Sequence, residues 1–443
     1  MGRSKPVGRA KKAVFALLAA VTLLLSGCEG SPVGSMVEEM TGGVEGLLSP
    51  PRFSEEQDAV YAVLSAHLSG SMRLCYPQEG ENLSAFTLCE LDGSPGGEAV
   101  VFYEPTSASA ASPVQMAVLD EGEDGWTVTD SLTLEGSGII DLTLLSLPEG
   151  PAFAVGLQYA GENGSSLLRI FAVRDGKAVS LSSIAYQEKV FGDFSGDGRS
   201  SLAVLYTAED WEGGPSVRAG LYQWQEGAFA LTSSCAVNPG ISRYEKLSAA
   251  EEGDGIRFYL DGYLGSRMVT EVLALEDGSL RNLTLPLGDY PGRPGLLSMD
   301  ADGDGLTEIP AQEPLPGYEE TEEPLCLTRW YRLEEGGYRL AYTGYVSSLL
   351  SYQFIFPGDW EGKVTVQRDD TAGEAAFVRV EDGATLFLLK AAPVSGWQAG
   401  DYPGYQLVAE RGQTVFLTRV VTGTGGCALT AEEIVSRFCD LGE

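Results

Sequence analysis

Acidic side chains recur along this chain at spacings that suit metal binding. The sharpest case is residues 300–308, Asp-Ala-Asp-Gly-Asp-Gly-Leu-Thr-Glu, with carboxylates at positions 1, 3, 5 and 9. Calcium takes six to eight oxygen ligands at about 2.4 Å. We therefore expect Asp300, Asp302, Asp304 and Glu308 to bind calcium, with the carbonyl of Leu306 as a further ligand. The alternative is an Asp-Gly turn whose carboxylates cap backbone amides without a metal.

Two weaker copies of this acidic loop occur nearer the N-terminus. Residues 193–201 carry a serine at position 9 in place of an acid. Residues 90–98 have acids at positions 1, 3 and 9 but a proline where a glycine is expected. The predicted calcium ligands in the first copy are Asp193, Ser195 and Asp197. The 90–98 copy, the least regular of the three, offers Glu90, Asp92, Ser94 and Glu98.

The sequence offers little for nucleophilic or general-base catalysis. It contains one histidine, His67, which we expect to be a surface or interface residue. HExxH, GxSxG and phosphate-binding loop motifs are absent from the sequence. The remaining enzymatic possibility is glycoside hydrolysis by a pair of carboxylates. With 63 acidic residues, such pairs arise by coincidence, so we predict a protein that is not an enzyme.

The first 28 residues have the organisation of an export signal. Five basic residues precede an apolar stretch from Ala13 to Leu25, which is too short to span a bilayer comfortably. The following Leu25-Ser26-Gly27-Cys28 resembles the lipobox of bacterial lipoproteins. The resemblance implies a signal peptide over 1–27, acylation of the Cys28 thiol, and a membrane-anchored protein on the extracytoplasmic face. An ordinary signal peptide or anchor that happens to contain a cysteine is the alternative.

The charge of the remaining chain limits its partners. Without the five basic residues of the signal, 24 Lys and Arg stand against 63 Asp and Glu. Nucleic acids require a basic surface, so they are excluded as partners. We expect the membrane, through the lipid on Cys28, and an extracellular protein or a cell-wall glycan as partners.

Six cysteines follow Cys28, and none forms a CxxC pair. A zinc or thioredoxin-type site is therefore not expected. Local disulfides between Cys75 and Cys89 and between Cys427 and Cys439 are one interpretation. Free, buried thiols are the other.

Between residues 72 and 343 the sequence indicates short strands with a repeat of about 50 residues. Asp-Gly, Glu-Gly or similar turns centred near 123, 175, 226, 277 and 335 separate apolar, strand-like runs. The acidic loops alternate with these hairpins. Five units of four strands predict a mainly β fold, a β-propeller of about five blades. An irregular β-sandwich is the alternative.

These strand–loop–strand units resemble the FG-GAP/VCBS repeats of integrin-type propellers, which occur in exported lipoproteins of Firmicutes. The resemblance covers about 72–343 and implies a structural role for calcium at Asp300, Asp302, Asp304 and Glu308. One copy of the loop is intact, two are partial and two are eroded.

The flanking segments complete the predicted organisation. Residues 28–53 are rich in Gly, Ser, Pro and Glu and predict a flexible tether after the lipidated cysteine. A helix capped by Ser54 and Gln57 then opens the 54–343 region. Residues 344–443 predict a separate α+β domain. Its Phe356-Pro-Gly-Asp-Trp360 segment is weakly similar to PsbP-type domains, which implies an α/β/α sandwich without activity.

Overall fold

The computed structural model describes residues 53–68, 71–93, 96–106, 113–159, 165–210, 214–253, 255–423 and 425–442. The predicted signal peptide, Cys28 and the tether up to residue 52 lie outside these residues. The chain divides into two compact units between Ala62 and Val63. Helix α1 spans Glu55–Leu68, and the predicted capping box is confirmed because the Gln57 amide donates to Ser54 Oγ at 3.1 Å. No helix of the described ranges is long and apolar enough to cross a bilayer.

The fold is mainly β, as predicted, and is built from antiparallel sheets. Sheets I to V follow one another along the chain, and each is formed largely by strands that are consecutive in sequence. Sheet I contains β1 (Met72–Leu74), β2 (Phe86–Cys89), β3 (Glu98–Pro105), β4 (Gln115–Gly122) and β5 (Gly125–Thr133). Sheet II contains β6 (Ile139–Leu147), β7 (Gly150–Leu157), β8 (Ser166–Arg174) and β9 (Lys177–Tyr186).

The next three sheets continue the same pattern. Sheet III contains β10 (Glu188–Gly192), β11 (Ser201–Asp210), β12 (Gly214–Gln225) and β13 (Ala228–Ala236). Sheet IV contains β14 (Ile241–Glu252), β15 (Gly255–Leu264), β16 (Arg267–Glu276) and β17 (Ser279–Asn282). Sheet V contains β18 (Ile309–Pro314), β19 (Cys326–Glu334), β20 (Gly337–Ser347) and β21 (Tyr352–Ile355), with the C-terminal strand β27 (Phe438–Asp440) added beside β21.

The predicted hairpin turns lie between the last two strands of sheets I to IV and between β19 and β20 of sheet V. In the turn between β8 and β9, Asp175 and Gly176 both have positive φ angles, 52° and 69°. Two-residue hairpin turns of this hand match the right-handed twist of the strands that they join. Glu226-Gly227 and Asp277-Gly278 have the same backbone conformation, which confirms the turns predicted from the sequence.

A β-bulge recurs at one place in four of the sheets. The register shifts at Val118/Leu119, Ile170/Phe171, Leu221/Tyr222 and Trp330/Tyr331. In sheets I and III the extra residue is a threonine whose hydroxyl donates to a strand carbonyl, Thr129 to Val118 and Thr232 to Leu221. A bulge bends its strand and redirects the side chain that follows.

The side chain after the bulge links each sheet to the next. Asp130 of sheet I accepts a hydrogen bond from the Ala178 amide of sheet II at 3.0 Å. Ser182 of sheet II accepts in the same way from Phe229 of sheet III at 2.9 Å. Ser233 of sheet III accepts from Leu280 of sheet IV at 2.9 Å. Sheets I to IV are therefore connected by one contact that repeats about every 51 residues.

The C-terminal region forms sheet VI, which shares a hydrophobic core with sheet V. Phe377 of sheet VI packs against Phe354 and Tyr345 of sheet V, with ring centroids 4.9 Å and 6.0 Å apart. The domain boundary predicted between residues 343 and 344 falls inside strand β20. That the regions on its two sides fold as separate units stays a prediction. Sheet VI is ordered β22 (Val364–Asp369), β23 (Glu374–Arg379), β24 (Thr385–Pro393), β26 (Thr414–Val420) and β25 (Gln406–Arg411).

Helices are minor elements of this region. In the described residues after 343 they are α2 (Val394–Ala399) and α3 (Ala431–Val435). The capping box of Thr430 and Glu433 is present, as predicted. The helical layers implied by the PsbP resemblance are not seen, because two helices of six and five residues cannot cover both faces of a five-stranded sheet.

All six cysteines after Cys28 are free thiols in the structure. Cys75 follows β1 and its amide bonds the carbonyl of Phe102, whereas Cys89 pairs with Glu98. Four residues along strand β3 correspond to about 13 Å, which is too far for a disulfide. The local pairing of Cys75 with Cys89 is therefore wrong in this structure. The alternative of free thiols is the one observed, and it holds for Cys427 and Cys439 as well.

Candidate functional site

The three acidic loops occupy equivalent places in alternate sheets. Residues 90–97 join β2 to β3 in sheet I, and residues 193–200 join β10 to β11 in sheet III. Residues 300–308 lead into β18 of sheet V, after a single bridge between Met299 and Glu308. In sheets II and IV, where the sequence copies are eroded, two residues separate the corresponding strands.

The first acid of each loop organises the backbone around it. Asp300 Oδ1 accepts hydrogen bonds from the amides of Gly303 and Asp304 at 2.8 Å and 3.1 Å, and its Oδ2 accepts from Gly305 at 2.9 Å. Asp193 accepts in the same way from Asp197 and Gly198, at 3.1 Å and 2.7 Å. The pKa of Asp193 is lowered, chiefly by the Gly198 amide.

The last acid of the loop closes it from the following strand. Glu308 is fully buried, and its Oε2 accepts from the amide of Ala301 at 3.0 Å. In the first loop Glu98 is also fully buried and accepts from the amide of Leu91. The same position in the second loop is Ser201, so that loop lacks this closure by a carboxylate. Loops 90–98 and 300–308 are therefore both closed by a buried glutamate that accepts from a loop amide. Loop 193–201 has only the bonds to its first acid.

A guanidinium group lies among the carboxylates of residues 300–308. Arg332 Nη2 is 2.6 Å from Asp304 Oδ2, 3.4 Å from Asp302 Oδ2 and 2.5 Å from Glu308 Oε1. Its Nε also donates to Glu308 Oε1 at 2.6 Å. Burial lowers the pKa of Arg332, but its bonds to Glu308 and Asp304 outweigh this and raise the pKa overall. The loop thus contains a permanent cation supplied by β19.

This arrangement fits the predicted calcium site only in part. Carboxylate oxygens of Asp300, Asp302 and Asp304 lie within 4.8 Å of one another, as shared ligands of one ion do. Glu308, the expected fourth ligand, is instead paired with Arg332. Burial, followed by the charge of Asp304, raises the pKa of Asp302. Calcium at 300–308 remains a prediction, and the structure gives the aspartates an alternative counter-ion.

The other predicted ligand sets differ in how far the structure assembles them. In 193–201 the Ser195 hydroxyl is 3.4 Å from Asp197 Oδ1, and Asp193 is occupied by backbone amides. Asp300 makes the same amide bonds, so they do not separate the metal-free turn from a calcium loop, and calcium at 193–201 stays a prediction. In 90–98, oxygens of Glu90, Asp92 and Glu98 all lie within 4.8 Å of one another. The copy with the least regular sequence is therefore as well assembled as the intact one.

A buried polar network holds the base of the 300–308 loop against sheet IV. Asp261 forms a fully buried ion pair with Arg293, with Nη2 to Oδ1 at 2.5 Å. It also accepts hydrogen bonds from Thr270 Oγ1 at 2.6 Å and from the Ser298 amide at 2.9 Å. Because Ser298 immediately precedes Met299 and the loop, this network fixes where the acidic residues begin.

Each acidic loop also borders a groove. A groove of about 650 Å³ is lined by Asp92, Glu149, Arg174 and Trp224, from sheets I, II and III. A second groove, of about 570 Å³, runs between Asp193 and the turns of sheet IV. A smaller one of about 260 Å³ lies beside Leu306 and Arg332. Loops and grooves therefore combine polar, aromatic and charged groups at the junctions of neighbouring sheets.

A separate group of acids comprises Glu79, which lies between β1 and β2, and residues of the first strands of sheets II to IV. Burial raises the pKa of Glu188 in β10 to about 7, and the charges of Glu79 and Glu245 add to this effect while Lys189 opposes it. Lys189 forms an ion pair with Asp141 of sheet II. A carboxyl group that retains its proton near neutral pH is what general-acid catalysis requires. His67 is exposed on α1, as expected for a surface residue.

Stability should fall between pH 4.5 and pH 7 because of Glu188. The folded protein retains this proton up to about pH 7, whereas the unfolded chain loses it near 4.5, so the folded state binds more protons in that window. Because glutamine does not titrate, we expect Glu188→Gln to abolish this pH-dependent decrease in the free energy of unfolding. The decrease is on the order of 1–2 kcal/mol after allowance for partial solvent screening. Urea unfolding at pH 5 and pH 7.5 measures it, with Glu335→Gln as the control. Equal pH dependence in all three proteins would contradict it.

Sequence reasoning missed two residues that matter to these loops. Arg332 lies in a hairpin strand 24 residues after Glu308, and no spacing rule connects it to the acidic motif. Asp120 pairs directly with Glu98 across strands β3 and β4. The hairpin turn near residue 123 joins β4 to β5, whereas β3 and β4 are separated by residues 106–114, so no turn signal predicted that second contact.

Comparisons with known proteins identify no family. No family model matches the chain, and no curated protein matches it. Among solved structures, Sqt1 of Saccharomyces cerevisiae is 12% identical, with 76% of this chain and 96% of that chain covered and a TM-score of 0.33. A rhamnogalacturonan lyase of Bacillus licheniformis is 12% identical, with coverages of 71% and 76% and a TM-score of 0.29. At these scores the likenesses support no conclusion about fold or function.

Proposed function

We propose that this chain is an extracytoplasmic lipoprotein, anchored by lipid on Cys28, which binds a partner on a β-propeller of five blades without catalysing a reaction. The observation that carries the proposal is the repeated link between consecutive sheets. Asp130, Ser182 and Ser233 make the same contact to the next sheet at an interval of about 51 residues. Three equivalent links along sheets I to IV are what a regular rotational repeat of sheets would produce. Such repetition generates a propeller.

The anchoring part of the proposal depends on the N-terminal sequence. The basic residues, the apolar stretch and Leu25-Ser26-Gly27-Cys28 together resemble a lipoprotein signal. Acyl chains contribute about 0.8 kcal/mol for each buried CH₂ group, so a multiply acylated cysteine holds a protein at a bilayer without a membrane-spanning helix. The FG-GAP/VCBS-like repeats favour the same class of exported protein.

Binding is favoured over catalysis because most of the conspicuous acids already have structural partners. Asp193 and Asp300 accept backbone amides, and Asp304 and Glu308 pair with Arg332. The grooves beside the loops offer recognition surfaces at the sheet junctions. A cell-wall glycan or an extracellular protein suits such a surface, and the net negative charge excludes nucleic acid.

Co-sedimentation with purified cell-wall sacculi tests the proposal. We expect the wild-type protein to sediment with the sacculi, and Arg174→Glu to reduce the bound fraction about tenfold because it reverses a charge in the groove of about 650 Å³. Arg281→Glu, an exposed arginine of β17 outside that groove, is the matched control and should bind like wild type. Equal loss in both variants would assign the binding to general electrostatics. No sedimentation of wild type would direct the search to protein partners.

Glycoside hydrolysis is the second candidate because Glu188 has the pKa of a general acid. The same incubations distinguish the two functions if reducing ends are counted afterwards. Their release by wild type and loss in Glu188→Gln would make the protein a hydrolase. Binding without release supports the non-enzymatic function.

A further inference from the structure

A lysine and an aspartate of neighbouring sheets are in direct contact away from solvent. Lys189 of β10 donates to Asp141 Oδ2 of β6, and the side chain of each is only 10% exposed. The two other lysine–carboxylate pairs of the described ranges are 3.7 Å and 3.9 Å apart and are more exposed. Burying two ions carries a desolvation penalty, which makes the neutral amine and carboxylic acid more accessible here than in water.

A bulge and a glycine bring the aspartate to this position. The register between β6 and β7 shifts at Ile139/Asp141, and a bulge of this kind redirects the side chain that follows it. Gly156 lies directly opposite Asp141 on β7, and a Cβ atom there would lie 2.7 Å from Asp141 Oδ1. A side chain at position 156 would therefore collide with the carboxylate.

The second oxygen of this carboxylate is buried near an unpartnered phenol. Within the part of the chain that the structure describes, Asp141 Oδ1 and Tyr186 Oη have no hydrogen-bond partner. Both lie 2.7 Å from the position of that Cβ atom on Gly156, so at most twice this distance separates them. Burial and the charge of Asp141 raise the pKa of Tyr186, with Ser166 opposing them, so the phenol keeps its proton. Lys189 Nζ lies 5.3 Å from the centre of the same ring.

An amine held against a carboxyl group inside a protein has the arrangement that amide formation requires. Transfer of a proton from Lys189 Nζ to Asp141 Oδ2, across their contact, converts the ion pair into a neutral amine and a carboxylic acid. Nζ can then attack Cγ of Asp141, and negative charge develops on Oδ1, near the Tyr186 hydroxyl. Fixed geometry of this kind is equivalent to a local concentration of about 10⁵–10⁸ M.

We propose that Lys189 and Asp141 condense to an isopeptide bond, a side-chain amide that joins sheet III to sheet II. A bond forms between Nζ and Cγ, and the bond between Cγ and Oδ2 breaks. Oδ2 leaves as water with two of the three ammonium protons, and the third proton stays on the amide nitrogen. The reaction is therefore balanced without an oxidant or a cofactor. The Tyr186 hydroxyl donates to Oδ1 as the charge develops there.

This bond gives the chain a covalent link that its cysteines do not provide. The six cysteines after Cys28 are free thiols in the structure. Lys189 and Asp141 are 48 positions apart in sequence, and a cross-link over such a loop restricts the unfolded chain. The inference depends neither on the propeller nor on the proposed partner, because it follows from local contacts.

Tryptic peptide mapping of the purified, denatured protein by mass spectrometry tests the proposal. We expect one joined peptide that contains Asp141 and Lys189 and is lighter by one water than its two parts together. Trypsin should not cleave after Lys189, because its side chain is acylated. Lys189→Arg should abolish the joined peptide, since a guanidinium stays charged and is not a nucleophile. The matched control Lys363→Arg, at an exposed lysine, should retain it.

The role of the phenol is tested by the rate at which the bond forms. In protein sampled at intervals after translation is stopped, Tyr186→Phe should form the joined peptide at least about tenfold more slowly than wild type, because it lacks the donor to Oδ1. An unchanged rate would overturn the assignment of Tyr186 to this reaction.

Two outcomes would overturn the isopeptide bond itself. One is a wild-type map in which the peptides of Asp141 and Lys189 are separate and at full mass. The other is a loss of water that persists in Lys189→Arg, which would assign it to a succinimide at an Asp-Gly sequence such as Asp277-Gly278. A joined wild-type peptide establishes the bond whether or not Lys189→Arg folds. Cell-wall sedimentation is a separate measurement, so failure here leaves the proposed function intact.

Discussion

Asp261→Asn should lower the free energy of unfolding by about 3–5 kcal/mol, because it leaves the buried Arg293 charge without its counter-ion. Both side chains are inaccessible to solvent, and burial already lowers the pKa of Arg293. The substitution keeps the size of the side chain, so the loss reports charge and hydrogen bonding and not a cavity. Urea unfolding followed by tryptophan fluorescence measures it.

A matched exposed pair provides the control. In sheet IV, Arg281 Nη1 lies 2.9 Å from Glu276 Oε2, and the glutamate and arginine side chains are 51% and 69% exposed. Glu276→Gln should therefore cost no more than about 1 kcal/mol. If the two substitutions cost the same, the Asp261–Arg293 network does not anchor the segment that leads to Ser298 and the 300–308 loop.

The second large effect is expected at Phe377. Its ring stacks on Phe387 at 4.3 Å and contacts Phe354 at 4.9 Å, so Phe377→Ala should destabilise the protein by about 3–5 kcal/mol. Since this core belongs to sheets V and VI together, we expect both sheets to unfold in a single transition at a lower temperature. Differential scanning calorimetry measures the enthalpy and the number of transitions.

This experiment also tests the domain boundary predicted at residues 343–344. Val380 directly follows β23, the strand that contains Phe377, and its side chain is 45% exposed. Val380→Ala should therefore change the free energy of unfolding by less than about 0.5 kcal/mol. A separate early transition in Phe377→Ala, with the main transition unchanged, would show that sheet VI unfolds independently. That result would support the boundary predicted from sequence and contradict the shared core.

Local sequence signals predicted local structure well. Asp175-Gly176 and Asp277-Gly278 favour the backbone conformations that two-residue hairpins need, and the structure has turns at both places. The Ser54–Gln57 cap was predictable for the same reason, because its two partners are three residues apart.

Contacts between distant residues were not predictable from spacing. Arg332 reaches the 300–308 loop because hairpin pairing in sheet V brings it there, and the acidic motif contains no trace of that partner. The pairing of Cys75 with Cys89 was inferred from short separation in sequence, but strand β3 holds the two apart. The charge environment of an acidic loop depends on the neighbouring strands, and the regularity of the motif does not report it.

The late arrival of strand β27 has a consequence for biosynthesis. A polypeptide emerges N-terminus first, and sheets I to IV use only residues 72–282, so each can pair its strands soon after synthesis. Tyr352–Ile355, in contrast, waits for Phe438–Asp440 before its outer edge is covered. Until then that edge is an open template for pairing with another chain. A nascent or truncated chain that stops before residue 438 therefore exposes an aggregation-prone strand, which Phe438–Asp440 covers once it has been synthesised.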